Sequence, residues 1–266
     1  MWTTEQSAAV LLEHRRKLRP QHELPSGAVP ADRDAAYRVQ DALIQLHLDA
    51  GDGPVAGWKV ALTNPAMQAM FGVDEPAEGA IFGPLVHASG KRLDPGKYRH
   101  LGAEGEIVLR MRESLTPDQA PFTAESVSES VGGYMAGIEI VDDRDAGADA
   151  TIGLLVADNA MNYGCALGRE SAYTPTIDLA RVSGRLTIDG QPAGEGVGEN
   201  VLGGPLHVLA LLGNSLARRG RSLRAGDIVM TGSLAVTVWP QPGEAIRWEV
   251  DGLDPVEFSL APDGTT

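Results

Sequence analysis

The chain has 266 residues, 43% hydrophobic and 22% charged, which is the balance of an ordinary globular protein large enough to bury a full core. Its 22 Lys and Arg stand against 36 Asp and Glu, a net charge of −14 that argues against a nucleic-acid or anionic-membrane partner but not against a small anionic substrate. One cysteine, Cys165, excludes an intrachain disulfide and fits a reducing cytoplasm. The first residues lack the basic-then-apolar pattern of a signal peptide, and no apolar run approaches the length of a membrane span, so a cytoplasmic protein is expected.

Residues 5–18 and 34–50 read as helices, the second with Tyr37, Val39, Leu43, Ile44, Leu46 and Leu48 on a broad apolar face stopped by Gly51 and Gly53. Residues 22–31 between them are a Pro- and Gly-rich loop. From Trp58 onward short strands and turns take over. Residues 57–63 read as an apolar strand carrying Lys59, and Asp74 sits in the turn that follows. Residues 103–109 read as a buried strand interrupted by Glu104 and Glu106. A helix is expected over 124–135 with Thr123 as N-cap, and a short apolar strand over 137–141 carries Glu139. Asp142, Asp143, Arg144 and Asp145, like Asp158 and Asn159, suit turns and salt bridges, and Cys165 lies in an apolar stretch typical of a core. Residues 182–188 before Asp189-Gly190, and 245–250 before Asp251-Gly252, are hairpin signals. The last helix is expected over 205–219, and the strand at 227–230 runs into a Thr231-Gly232-Ser233 turn. With no βαβ repetition, the pattern divides into a helical N-terminal portion, 1–55, and a β-rich unit, 56–266.

Strand side chains alternate faces, so Glu104 and Glu106 point the same way, about 7 Å apart. Two acids so placed are ordinarily a solvated sheet face. Glu139, set between Ile138 and Ile140, changes the odds: three carboxylates on two strands suit a hard divalent ion, Mg²⁺ or Mn²⁺, which prefers oxygen ligands and keeps several waters. Such an open ion is chelated by a 2-oxo acid and acts on it as a Lewis acid. Lys59 in its apolar strand either pairs with one of the glutamates or serves as a proton donor/acceptor or carboxylate anchor. Asp74 is a turn cap or a catalytic acid. Gly232 admits close backbone approach to a ligand, and the hydroxyls of Thr231 and Ser233 are able to bond a carboxylate. Gly-x-Ser-x-Gly, Walker A and dinucleotide-binding fingerprints are missing.

With these residues the chain resembles the 2-oxopent-4-enoate hydratase and 4-oxalocrotonate decarboxylase group of the fumarylacetoacetate hydrolase superfamily. The likeness runs from about residue 33 to 261, through the stretches 57–64, 72–76, 103–106, 137–141, 157–160 and 226–233 taken in order. It implies an α+β fold, a mixed β-sheet roll with flanking helices, and homo-oligomers. It also implies a Mg²⁺ or Mn²⁺ site at Glu104, Glu106 and Glu139, with Lys59, Asp74 and the turn of Thr231, Gly232 and Ser233 at the substrate. One departure stands out: where that group carries serine after Asp-Asn-Ala, this chain has Met161 and Asn162. A thioether neither donates a useful hydrogen bond nor relays a proton, and Asn162 recovers a polar contact but no acid–base function. The activity implied is a metal-dependent lyase, hydratase or decarboxylase, of a small 2-oxo or 2-hydroxydienoic acid. The alternatives are an acylpyruvate or β-diketone hydrolase, for which His22 and His47 are the N-terminal base candidates without an evident dyad, and a non-catalytic 2-oxo-acid binder.

Overall fold

A computed structural model describes residues 2–30, 32–145 and 150–264. The chain opens with α1 (Thr4–Arg16), capped by a reciprocal box between Thr3 and Gln6, and α2 (Arg33–Asp49), whose Asp32 side chain accepts from Ala35 N. Both match the helical periodicity of the sequence, although Leu48 is exposed rather than on the buried face. Leu11 and Leu12 of α1 pack with Val39 and Leu43 of α2, and with Leu154 to Ala157 of a short helix, α5 (Ile152–Ala157). The two other early helices are α3 (Pro65–Phe71) and α4 (Ala124–Ser128). Among the described residues no helix is long and apolar enough to cross a membrane.

The helix expected over 124–135 stops at Ser128, and Val131–Asp142 is instead a twelve-residue strand. The Gly132-Gly133 pair is costly inside a helix, and Val131 and Tyr134 pack better on a pleat. This strand, β6, is the centre of an eight-stranded sheet of order β2-β1-β11-β5-β6-β7-β3, with β8 (Ser171–Ala172) also paired to β6. The others are β1 (Val55–Ala61), β2 (Ala77–Phe82), β3 (Val86–Ala88), β5 (Leu101–Met111), β7 (Asn162–Leu167) and β11 (Ile228–Ser233). Pairs β1–β11 and β3–β7 are parallel, and the rest antiparallel. A five-stranded sheet, β10-β9-β12-β13-β4, lies against it, built from both expected hairpins: β9 (Ser183–Ile188) with β10 (Gln191–Val197), and β12 (Ala245–Val250) with β13 (Val256–Leu260). Its edge is β4 (Lys91–Leu93), and α6 (Pro205–Arg218) completes the cover.

Strand alternation gives β5 two interiors. Ala103, Gly105, Ile107 and Leu109 face the smaller sheet, where Trp248 is fully buried and its Nε1 donates to Glu106 O at 3.0 Å. The other face looks into the curl of the large sheet, which brings β2 beside β7. There Ile81, Val108, Met135, Cys165, Ile228 and Met230 form a small separate apolar cluster drawn from β2, β5, β6, β7 and β11. The mixed roll with flanking helices expected of the sequence is thus the architecture found. Glu104, Glu106, Glu139 and Lys59 continue the same inward-facing rows past this apolar plug.

Trp248 lies flat on Gly105 and Gly184: a Cβ at either would come within 2.4 and 2.3 Å of its ring. Gly105→Ala is therefore expected to destabilise the fold by about 1–3 kcal/mol, the usual cost of overpacking a filled core. Urea denaturation measures it, and an unchanged midpoint would contradict this packing.

Candidate metal and 2-oxo-acid site

The register of β5 on β6 sets Glu104 directly opposite Glu139, and Glu106 opposite Gly137. One oxygen from each of the three glutamates lies within 4.8 Å of the others. Glu106 and Glu139 are fully buried and Glu104 is partly exposed. Like charges opposite one another across a ladder repel, and burial makes the repulsion worse. Burial, followed by the neighbouring glutamates, pushes Glu106 well above the usual carboxylate range. Burial likewise raises Glu139 to about 7 even though Lys59 pulls it down.

Lys59 projects from β1 into the cluster, 3.1 Å from Glu139 Oε1 and donating to Ala160 O at 3.0 Å. Burial alone would depress the ammonium, but Glu139, Glu104 and Glu106 together outweigh it and raise its pKa. Lys59 is a protonated donor here. Of its readings from the sequence, the pairing with a glutamate is the one present in the structure.

The acids are held by contacts that no sequence motif announces. Gly232 N donates to Glu106 Oε2 at 2.9 Å, Asn162 Nδ2 to Glu139 Oε1 at 2.9 Å, and Thr237 Oγ1 to Glu104 Oε1. Glu106 Oε1 and Glu139 Oε2 are buried with no hydrogen-bond partner among the described residues. Were all three carboxylates ionised against one ammonium, two negative charges would stand uncompensated around these partnerless oxygens. That donor set fits a divalent, oxygen-preferring cation such as Mg²⁺ or Mn²⁺. No cluster of His or Cys suited to zinc appears among the described residues.

Thr231, Gly232 and Ser233 are not a turn beyond the strand but its last residues. Met230 pairs with Val108 and Ser233 with Glu106, so one extra residue bulges at Thr231-Gly232. Gly232 takes φ 100°, and a Cβ there would lie 2.1 Å from Thr63 Oγ1, so only glycine delivers its N–H to Glu106. The Thr231 hydroxyl donates to Ile107 O at 2.7 Å and Ser233 Oγ to Ala235 O at 2.7 Å. Of the three, Gly232 is the one that hydrogen-bonds a glutamate side chain.

Asn159, Ala160 and Met161 follow α5 as three successive non-glycine residues at positive φ, 58°, 51° and 60°. This left-handed turn is strained. It is also what aims the Ala160 carbonyl at Lys59 and sets Asn162 under Glu139. Asn159 anchors it, accepting from Ala80 N at 2.6 Å and donating to Ala80 O at 2.9 Å. Met161 is half-buried against the α1–α2–α5 cluster. Asp74 is exposed on a bend that lines a cleft of about 480 Å³ with Glu75, Glu199, Asn200 and His207. His47 does stand in a dyad, Nδ1 2.8 Å from Asp52 Oδ2, but that carboxylate is shared with Arg16 and the ring packs on Phe82, with no contact to the three glutamates. His22 is exposed and bonds Asp145 O. Cys165 is buried, paired in register with Glu139 and with its thiol pushed up by burial, as expected of a core cysteine.

Comparison with known proteins places this geometry in context. The sequence profile of the fumarylacetoacetate (FAA) hydrolase C-terminal family matches residues 82–260. A 2-keto-4-pentenoate hydratase of Burkholderia vietnamiensis is 33% identical over 86% of this chain and 86% of its own. A protein of the same name from Paraburkholderia phymatum is 31% identical over 97% of each. Among solved structures, the 4-oxalocrotonate decarboxylase of Pseudomonas putida G7, complexed with magnesium and adipate, superposes with a TM-score of 0.88 at 25% identity, covering 98% of this chain and 99% of that one.

Glu106→Gln removes one buried ionisable group yet keeps an acceptor for Gly232 N. Its expected effects oppose one another: a higher melting temperature without divalent ions, and loss of the stabilisation that Mn²⁺ gives the wild type. Thermal melts with and without Mn²⁺ check this; a variant still stabilised by Mn²⁺ as the wild type is would remove Glu106 from the ion's ligands.

Proposed function

We propose that this chain, which belongs to the fumarylacetoacetate hydrolase family, is a divalent-metal-dependent hydratase of a short 2-hydroxydienoic acid, converting 2-hydroxypenta-2,4-dienoate to 4-hydroxy-2-oxopentanoate. The observation that carries the reading is the convergence of Glu104, Glu106 and Glu139 with Lys59, in a chain whose full-length relatives are named 2-keto-4-pentenoate hydratase. An ion held by these carboxylates supplies Lewis-acid polarisation of the oxygens of a 2-oxo acid.

The remaining work falls to the chain's own groups. An ammonium has three N–H donors, and Glu139 and Ala160 O occupy two at Lys59. The third is free for the substrate. The reaction adds one water overall: a proton leaves the 2-hydroxyl and another arrives at the terminal carbon, and then the water's oxygen bonds C4 while one of its protons ends on C3. Lys59 gives the proton at carbon and is restored by the one from the hydroxyl, so it ends each turnover charged. Asn162 Oδ1 is buried and without a partner, an acceptor for a substrate hydroxyl or for the incoming water. Met161, next to it in the chain, packs on the α1–α2–α5 cluster and supplies no hydrogen-bonding hydroxyl.

Decarboxylation of 4-oxalocrotonate is the second reading, supported by the likeness to the decarboxylase structure. It needs a pocket for a second carboxylate. Among the described residues Lys59 is the one cation that forms an ion pair with any of the three glutamates, through Glu139, which favours a monocarboxylate. The hydrolase reading needs a water-activating base at the acids, and the His47–Asp52 pair stands elsewhere.

Steady-state assays with Mg²⁺ are expected to show hydration of 2-hydroxypenta-2,4-dienoate well above CO₂ release from 4-oxalocrotonate and pyruvate release from an acylpyruvate. Faster turnover of either of the latter replaces the assignment. Lys59→Met is expected to lower kcat by about 10²–10⁴-fold, the usual worth of a positioned proton donor. Mn²⁺ binding to the same variant, read by electron paramagnetic resonance, is expected to survive.

A further inference from the structure

The mechanism above makes no use of α1, yet α1 sends one buried cation under the site. Arg15 is only 5% exposed. Its Nη2 donates to the carbonyl of Asn162, its Nη1 lies 3.9 Å from Asp158 Oδ1, and its guanidinium sits 4.5 Å over the Tyr163 ring. Asp158 and Asn162 are the two ends of the left-handed turn. Gln21 and Arg144 also reach the Asp158 carboxylate.

We propose that Arg15 is a positioning residue for the acid cluster, clamping both ends of the 159–161 turn so that Asn162 meets Glu139 and Ala160 meets Lys59. The proposal rests on the reading of Glu104, Glu106 and Glu139 as a metal cradle. The chain of contacts is short. Arg15 fixes the backbone carbonyl of Asn162, whose side chain fixes Glu139 Oε1 and leaves Oε2 free. Two residues back, the Ala160 carbonyl fixes Lys59, which bonds the same Glu139 oxygen. Three adjacent non-glycine residues at positive φ do not keep that shape unaided; each is strained and is retained only where the surroundings over-determine it. Asn159 supplies one such restraint through Ala80, and Arg15 is the restraint on the side nearer the acids. An arginine is suited to this because one planar fork reaches a carbonyl and a carboxylate while its face stacks on tyrosine.

The test compares Mn²⁺ affinity, by electron paramagnetic resonance, in the wild type, Arg15→Met, Arg15→Lys and Leu11→Ala. Leu11 lies in the same helix, fully buried in its apolar cluster, and has no part in the hydrogen bond or ion pair by which Arg15 holds the turn, so its truncation loosens α1 while leaving the polar contacts of the clamp in place. Arg15→Met is expected to weaken Mn²⁺ about 10–100-fold, the usual effect of losing a group that orients a metal ligand. Arg15→Lys is expected to recover part of that loss, because its charge still faces Asp158. Leu11→Ala is expected to lower the melting temperature at least as much and bind Mn²⁺ as the wild type does. Wild-type affinity in Arg15→Met overturns the clamp alone, and so does a loss in Leu11→Ala equal to that in Arg15→Met. A wild type that binds no Mn²⁺ overturns the cradle first and the clamp with it.

Discussion

Three carboxylates meet one ammonium inside a curled sheet, and much of the surrounding architecture keeps that charge together away from bulk water. Glu104 stands opposite Glu139 on the ladder, where like charges repel. Such a pairing persists only where the strands have no freedom to shift register. Here β5 is pinned on its other face by Trp248 lying on Gly105, and by the bond from Trp248 Nε1 to the carbonyl of Glu106 itself. The residue that buries the main core therefore also holds the backbone under an acid. A one-residue slip would carry Glu106 into the apolar space beside Trp248, which is why the register is so strongly specified.

The second device is local backbone geometry that side chains alone would not choose. The bulge at Gly232 turns an N–H toward Glu106, and the left-handed turn at 159–161 turns a carbonyl toward Lys59. One gives a donor to an anion and the other an acceptor to a cation. Backbone dipoles cost little to reorient during a reaction because they are fixed beforehand. The site is thus framed by main-chain groups at two opposite points, with Asn162 and Thr237 as its side-chain struts.

Much of this was readable in advance, and the reason is periodicity. Glu104, Glu106, Glu139 and Lys59 are polar intrusions in apolar strands, a signal that survives without any knowledge of pairing. What escaped depends on partners distant in the chain. Arg15 looks like the basic last turn of a surface helix, and nothing in its neighbours predicts a carbonyl 147 residues away. Thr237 belongs to no motif, and its role exists only because its loop lies over Gly102, one strand step from Glu104. The helix expected over 124–135 failed for the opposite reason: a good local start at Thr123 said nothing of where the chain would be recruited into β6. Likewise the His47–Asp52 pair forms across a helix end, where spacing of five residues gives no sequence signature of a dyad.

The strand β2 ends the large sheet, and a bare sheet edge is a template on which a second chain can add its own strand. Here the outward N–H and C=O of Ala80 are both taken by the side chain of Asn159, and the carbonyl of Glu78 by Gln40. Side-chain amides mimic the rungs that a neighbouring strand would supply. The residue that begins the strained turn beside Lys59 thus also completes the hydrogen bonding of a sheet edge that is buried throughout. Its loss would leave the buried N–H and C=O of Ala80 without partners as well as disturb the site.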